Sequence, residues 1–369
     1  MKMSLRIAID ASRATVLHMT GTEYYSRELI RHLIALNNTL EAPHQLDLFF
    51  RDQPEANLLP DSEHATVHVI SFPRLWTHWR LAASLFQEQP DLTFVPAHTL
   101  PLVFPGNSVV TVHDLGYKYF PDTHTDAHRR YLDFTTRYSA KRANIILADS
   151  QATAEDLRVF YDVPAEKIRV IYPGVERPSE SPELDIFRKY QIPFRYFLFL
   201  GTLQPRKNIK RIVEAYSMWC AANPDKRIAL VLAGKKGWLF DEAWIDGVDG
   251  VYVTGYIDEV DKGDLIRHAT ALVFPSLYEG FGFPAVEAML CGTPVIASDS
   301  SSLVELVEDA GILVNPLEVT EIAASMDLLT QTPFLRKKLG IKGLAQGAKF
   351  TWEKAAEQTM KALEEAATL

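Results

Sequence analysis

Several features that commonly announce a protein's chemistry are scarce or missing from this chain of 369 residues. Cysteine occurs only twice, as Cys220 and Cys291, far apart and each inside an apolar stretch that reads as helical. That pattern suits two buried thiols and argues against a disulfide framework or a catalytic cysteine. No apolar run is long enough to cross a bilayer. The opening MKMSLRIAIDAS has too short an apolar segment for a secretory signal and passes straight into a strand. A cytoplasmic protein is therefore expected. Basic residues are in the minority, 38 against 47 acidic, for a net charge of −9. This argues against a nucleic-acid partner, which requires a phosphate-neutralising face, but leaves room for a local anion pocket.

Familiar catalytic signatures are absent too. No G-x-G-x-x-G follows the first strand, and Gly234-Lys235-Lys236 does not complete a P-loop. Neither H-E-x-x-H nor G-x-S-x-G occurs. D-x-D spacing, a common tether for a metal on a sugar nucleotide, is missing as well. Basic side chains and backbone amides are then the remaining means of neutralising a diphosphate.

What the chain does contain is two series of alternating strands and helices, and its length favours two domains. Apolar runs predict strands at Leu5–Ile9, Leu46–Phe50, Val67–Ile70, Leu92–Val95, Ser108–Val112 and Ile145–Ala148. Helices are expected over Tyr24–Leu36, with Leu29, Leu33 and Leu36 inward, and over His124–Arg142 and Ala152–Phe160. Tyr172-Pro173-Gly174 and Glu176–Pro182 read as a linker. Beyond it come strands at Tyr196–Leu200, Ile228–Ala233, Val251–Val253, Ala271–Phe274 and Val295–Ala297. Their helices are expected at Asn208–Cys220, from about Pro284, at Ser301–Glu308 and at Glu318–Leu328, and a final one spans Trp352–Leu363. The expectation is a doubly wound domain over 1–175, a second over 176–350, and a helix at 351–369 that returns to the first. Ligands of such sheets lie at the carboxyl ends of the strands, here in a cleft between the domains.

Four segments carry candidate chemistry. Gly201-Thr202-Leu203-Gln204-Pro205-Arg206-Lys207-Asn208 leaves a strand and enters a helix, holding two cations where an anionic ligand would sit. The plainer reading is a pair of solvated cations opposing the helix dipole. Phe274–Ala288 joins a strand to a helix through a glycine-interrupted loop, Gly280 to Phe283, with Glu279 before it and Glu287 one turn inside the helix. Amides at such a helix start suit an anion or a polyhydroxyl ligand, and the two acids suit sugar and ribose hydroxyls; the plainer reading is a turn and an early-helix acid. Thr111–Tyr117 places His113 and Asp114 at a strand end, although a single histidine is more often structural. In Met19–Tyr24, Gly21 could admit a ligand, while Thr20 or Thr22 could simply cap a helix. Asp149-Ser150 reads first as another cap.

Together these residues resemble the retaining glycosyltransferase family 4, with its GT-B fold of two doubly wound Rossmann-like domains, over nearly the whole chain. EGFGFPAVE at 279–287, about 70 residues after GTLQPRKN, is the most specific match; HDLGY and DSQATAEDL add to it. The subgroup most similar contains mannosyltransferases of polysaccharide assembly. The resemblance implies that Arg206 and Lys207 bind the donor diphosphate and Glu287 the ribose. It further implies that Glu279 and the amides of Gly280, Phe281, Gly282 and Phe283 hold the sugar, with His113 near its 6-hydroxyl and Gly21 beside the diphosphate and acceptor. Many relatives have a glycine where this chain has Glu23, which leaves that residue as an acceptor contact or a cap.

The resulting expectation is a retaining transfer, independent of metal and cofactor, of a hexose to a saccharide or lipid-linked acceptor. GDP-mannose leads as donor, with UDP-glucose or another UDP-hexose as the alternative. A non-catalytic nucleotide-sugar-binding protein and a sugar-nucleotide epimerase are the other readings. His128, Arg129, Arg130, Arg137, Lys141 and Arg142 offer a weak peripheral contact with anionic lipid at the inner membrane face; as a plainer alternative they form a solvated basic face.

Overall fold

The computed structural model describes residues 4–16, 19–72, 76–121, 125–180, 185–237 and 239–369. Its first half begins with β1 (Arg6–Asp10), α1 (Gly21–Asn37), β2 (Gln45–Phe50), β3 (Ala65–Val69), a π-helical turn at Thr77–Leu81 and α2 (Ala82–Glu88). There follow β4 (Leu92–Val95), β5 (Asn107–Val112), α3 (Gly116–Tyr119), α4 (Asp126–Arg142), β6 (Ile145–Ala148), α5 (Gln151–Tyr161) and β7 (Ile168–Val170). All pairings are parallel, in the order β3-β2-β1-β4-β5-β6-β7. Every residue of β4, β5 and β6 is buried except Asn107 at the start of β5, because helices cover both faces of a parallel sheet.

The second half opens with α6 (Ile186–Lys189), β8 (Tyr196–Leu200), α7 (Ile209–Ala222), β9 (Ala229–Ala233), β10 (Val251–Gly255) and α8 (Glu259–His268). It continues with β11 (Ala271–Phe274), α9 (Phe283–Leu290), β12 (Val295–Ser298), α10 (Ser302–Val307), β13 (Ile312–Val314), α11 (Val319–Gln331) and α12 (Pro333–Gly347). This sheet is also parallel, ordered β10-β9-β8-β11-β12-β13. The chain falls into two units, 1–174 with 351–369, and 175–350. The last helix, α13 (Trp352–Ala366), lies in the first unit against α1 and β5. Both units are Rossmann-like, as the GT-B resemblance implies.

Two expectations need correction. Leu36 is only half-buried, because the inward stripe of α1 runs through Leu29, Ile30, Leu33 and Ile34 and leaves Leu36 at its rim. The free thiols of Cys220 and Cys291 are likewise half-buried. His124 of the anticipated fourth helix, and Ser181 and Pro182 of the anticipated linker, lie outside the described residues.

Candidate active site

In each sheet the connections run outward in both directions from a central pair of strands, and a crevice opens at the carboxyl ends of that pair. In the second unit the pair is β8 and β11. Strand β8 exits through Gly201, at φ 139°, and the chain then makes one 3-10 turn at Pro205–Lys207. Asn208 closes that turn in the left-handed conformation, at φ 63°, and donates from its side-chain amide to the Pro275 carbonyl at 2.9 Å and the Pro316 carbonyl at 2.6 Å. The Leu277 amide donates to the Arg206 carbonyl at 2.9 Å. The loops leaving the two central strands are thus stitched together.

Arg206 and Lys207 precede α7 rather than occupying its first turn. Lys207 Nζ meets Glu279 Oε1 at 2.6 Å, and Arg206 Nη1 lies 3.6 Å from Glu279 Oε2 while donating to the Tyr278 carbonyl at 2.6 Å. The side chains of Arg206, Lys207 and Glu279 are 18%, 13% and 7% exposed. That overturns the reading of two solvated cations. Two cations converge on one carboxylate, so the trio carries one positive charge.

The loop bearing Glu279 is held from behind. Its amide donates to Ser301 Oγ at 3.0 Å, and the Ser302 hydroxyl donates to the carbonyls of Glu279, at 3.0 Å, and Phe281. Gly282 sits at φ 126°, and a Cβ there would stand 2.7 Å from Leu303 Cδ2. Gly280 and Phe281 lie within this loop, and Phe283 then starts α9 with Pro284 in the first turn, where a missing N–H costs nothing. One turn on, Glu287 receives Lys262 Nζ at 2.7 Å. Lys262 comes from α8 and also binds Glu259. Burial opposes its charge, yet Glu287 and Glu259 outweigh this and raise its pKa. Sequence reading missed Lys262, whose partner lies on a different helix.

In the first unit the central pair is β1 and β4. Gly21 begins α1 behind Thr20, whose N–H donates to Glu23 at 3.0 Å in a reciprocal capping box. Arg13 Nη1 pairs with Glu23 at 3.2 Å. Glu23 thus closes the helix start, the second of the two roles left open for it. Ser150 caps α5, whereas Asp149, expected as a cap, turns to His113: its Oδ2 lies 2.7 Å from His113 Nδ1. His113 Nε2 is 3.2 Å from the Pro96 carbonyl. Both ring nitrogens face acceptors, so the protonated ring satisfies them best. Burial works against that charge, but Asp149 prevails and raises the His113 pKa. Asp114 accepts the Gly116 amide at 2.9 Å.

A neighbouring histidine, His98, was not singled out in the sequence. Its Nε2 accepts the His113 amide at 3.0 Å, which fixes the ring proton on Nδ1. That Nδ1 is buried and has no hydrogen-bond partner among the described residues. Burial, with the charge of His113 adding to it, depresses the His98 pKa to about 4. Its only sequence signal is its place just after β4. Among the anticipated site residues, then, Arg206, Lys207 and Glu279 come together, and Glu287 stands in the same unit with Lys262. His113 and Gly21 belong to the first unit.

Comparison with known proteins covers both units. Residues 19–177 match the family described as Glycosyltransferase Family 4, and residues 184–346 match that described as Glycosyl transferases group 1. Over 371 aligned residues the chain is 31% identical to O-antigen chain mannosyltransferase B of Escherichia coli, covering 93% of this chain and 96% of that one. Sucrose-phosphate synthase from Thermosynechococcus elongatus shares the fold, with TM-score 0.76, 22% identity and coverage of 96% and 97%. So does Anabaena HepE in complex with UDP and glucose, at TM-score 0.74, 18% identity and coverage of 98% and 100%.

Proposed function

Since the chain belongs to the family 4 and group 1 glycosyltransferases, we propose that its second unit holds a nucleotide-diphosphate hexose for transfer to an acceptor bound by the first. The enzyme is a nucleotide-sugar-dependent glycosyltransferase acting on a glycan or lipid acceptor. The observation that carries the site assignment is the convergence of Arg206 and Lys207 on Glu279, in loops from the two central strands of the sheet.

On this reading Arg206 and Lys207 hold the diphosphate, Glu287 accepts from the ribose, and Glu279 with the amides of Gly280 to Phe283 fixes the sugar. As the bond from sugar to phosphate breaks, charge builds on the leaving diphosphate. Cations already fixed in place stabilise that charge more than the ground state. His113 meets the 6-hydroxyl by sharing the Nε2–H that the Pro96 carbonyl takes at 3.2 Å, and Gly21 lets the start of α1 approach the diphosphate and acceptor. The acceptor hydroxyl attacks from the face the diphosphate leaves, giving retention, and a diphosphate oxygen takes its proton. Glu279 is a poor nucleophile because its carboxylate is already bound by Lys207. Isolation of a covalent glycosyl–Glu279 adduct would overturn this step.

Two donors are carried forward. A UDP-hexose is supported by the likeness in fold to HepE, which holds UDP and glucose. Mannosyl transfer from GDP-mannose is supported by the 31% identity to the Escherichia coli mannosyltransferase. A panel of both donor types with mixed glycan acceptors, read by nucleotide release and product mass, separates them. Arg206→Ala and Lys207→Ala should each lower turnover about 100- to 1,000-fold, as loss of one preorganised donor does. Normal turnover and donor affinity in both variants would sink the assignment. The reaction is expected to proceed after thorough chelation; activity lost to chelator and restored by Mg²⁺ or Mn²⁺ would refute that.

A further inference from the structure

The loop that presents Glu279 runs beside the one leaving β12, and past the end of the sheet serine side chains join the two. The last ladder pair between β11 and β12 sets Phe274 against Ala297. Beyond it the Ser298 hydroxyl donates to the Ser276 carbonyl, and the Ser302 hydroxyl to the carbonyls of Glu279 and Phe281. Ser301 acts in the opposite sense: its Oγ accepts the Glu279 amide at 3.0 Å. A hydroxyl can serve either way, so one run of serines takes up both amide and carbonyl groups that have left the backbone ladder.

Of these three serines only Ser301 holds an unfavourable backbone, at φ 52° and ψ −147°. That combination belongs to the first central position of a type II′ turn, where glycine is usual because a Cβ is strained there. The ordinary reason for a serine at this place is missing. Ser301 stands at the N-cap of α10, yet its side chain does not cap that helix. Its one hydrogen bond among the described residues is the one to Glu279. Glycine would relieve the strain but has no atom to accept the Glu279 amide. Glu279 is thus fixed from two sides, its carboxylate by Lys207 at 2.6 Å and its backbone by Ser301 and Ser302. Strain of this kind persists where the surroundings over-determine it, and it gathers at functional sites. We propose that Ser301 is a positioning residue for hexose transfer, keeping a strained backbone so that its hydroxyl aims Glu279 and the amides that follow at the transferred sugar. This rests on the assignment of Glu279 to the sugar and adds the residue that sets where its carboxylate stands.

The test compares Ser301→Ala and Ser301→Gly with the parent, each as the full chain. Both lose the hydroxyl, but only alanine keeps a Cβ in the strained conformation. Ser301→Gly should therefore melt above Ser301→Ala by about 2–4 °C. Calorimetry then sets GDP-mannose against GDP, and UDP-glucose against UDP. Both variants should bind the accepted sugar nucleotide about tenfold more weakly and transfer its hexose about tenfold more slowly. Affinity for the bare nucleoside diphosphate should stay unchanged, because Arg206 and Lys207 are left in place. A serine that only shaped the turn would move the melting temperature and leave that comparison alone. Unaltered sugar-nucleotide binding in both variants, an equal loss for the bare diphosphate, or Ser301→Ala melting at or above Ser301→Gly would each overturn the proposal. Glu279→Gln, measured alongside, should show the same selective loss. If it does not, the assignment of Glu279 fails and takes the proposal with it; if it alone does, only the role of Ser301 is dismissed.

Discussion

Replacing Gly282 by alanine tests whether the Glu279 loop is held by close packing. The residue has φ 126°, and the new Cβ would fall 2.7 Å from Leu303 Cδ2. Leu303 is fully buried, so it would have to retreat by roughly 0.7 Å into packed surroundings to reach ordinary contact. Backbone strain contributes about 1–2 kcal/mol, and overpacking of a core typically adds about 1–3 kcal/mol. Gly255→Ala is a control in the same unit: its φ is 75°, nearer the left-handed region, and nothing lies within 4 Å of the new Cβ. It should cost only the backbone share, about 1 kcal/mol. Urea unfolding of the two variants, followed by circular dichroism, should separate them by about 2 kcal/mol. Because Ser302 adjoins Leu303 and holds the Glu279 and Phe281 carbonyls, Gly282→Ala should also weaken donor binding in calorimetry. Two variants within about 0.5 kcal/mol of one another, the usual spread of surface changes, would refute the packing argument.

Lys262→Met removes the cation beside Glu287, whose side chain is 8% exposed, and should destabilise the second unit by about 3–5 kcal/mol; an unshifted unfolding midpoint counts against that pairing. His98 gives an acid effect of definite sign. With a folded pKa of about 4 against about 6.5 unfolded, stability present above pH 6.5 is lost as pH falls toward 4. His98→Gln keeps an acceptor for the His113 amide but cannot take up a proton. Its stability relative to the parent should therefore rise by roughly 3 kcal/mol between pH 7 and pH 4, and a difference that does not vary with pH would dismiss the idea.

Much of the second sheet could be read in advance, because strands such as Tyr196–Leu200 and Ala271–Phe274 are continuous apolar runs between breaking residues. The loops with Arg206, Lys207 and Glu279 were visible for the same reason: each begins where such a run stops. Pairing across elements was not visible. Nothing near Glu287 in sequence points to Lys262, and nothing near Asp149 points to His113; parallel strand order brings each pair together. Two short edge strands, Ile168–Val170 and Ile312–Val314, were too brief to show a pattern. The helix Pro333–Gly347 escaped for a different reason, since its buried positions include Gly340, Gly343 and Gly347 where an apolar stripe was sought.

Those small positions have a mechanical meaning. A methyl at Gly340 would stand 2.4 Å from the Gly292 carbonyl, and one at Gly343 would press on Met289. Helix α12 therefore seats the tail of α9 as a groove seats a rod, its glycines leaving room for Met289 and Leu290 and for the Gly292 carbonyl. The depth of that seat sets how far Glu287, two residues before Met289 on the same helix, projects. A single carbon added at the back would shift an acid it never touches, so nucleotide affinity should respond to a substitution that contacts no nucleotide.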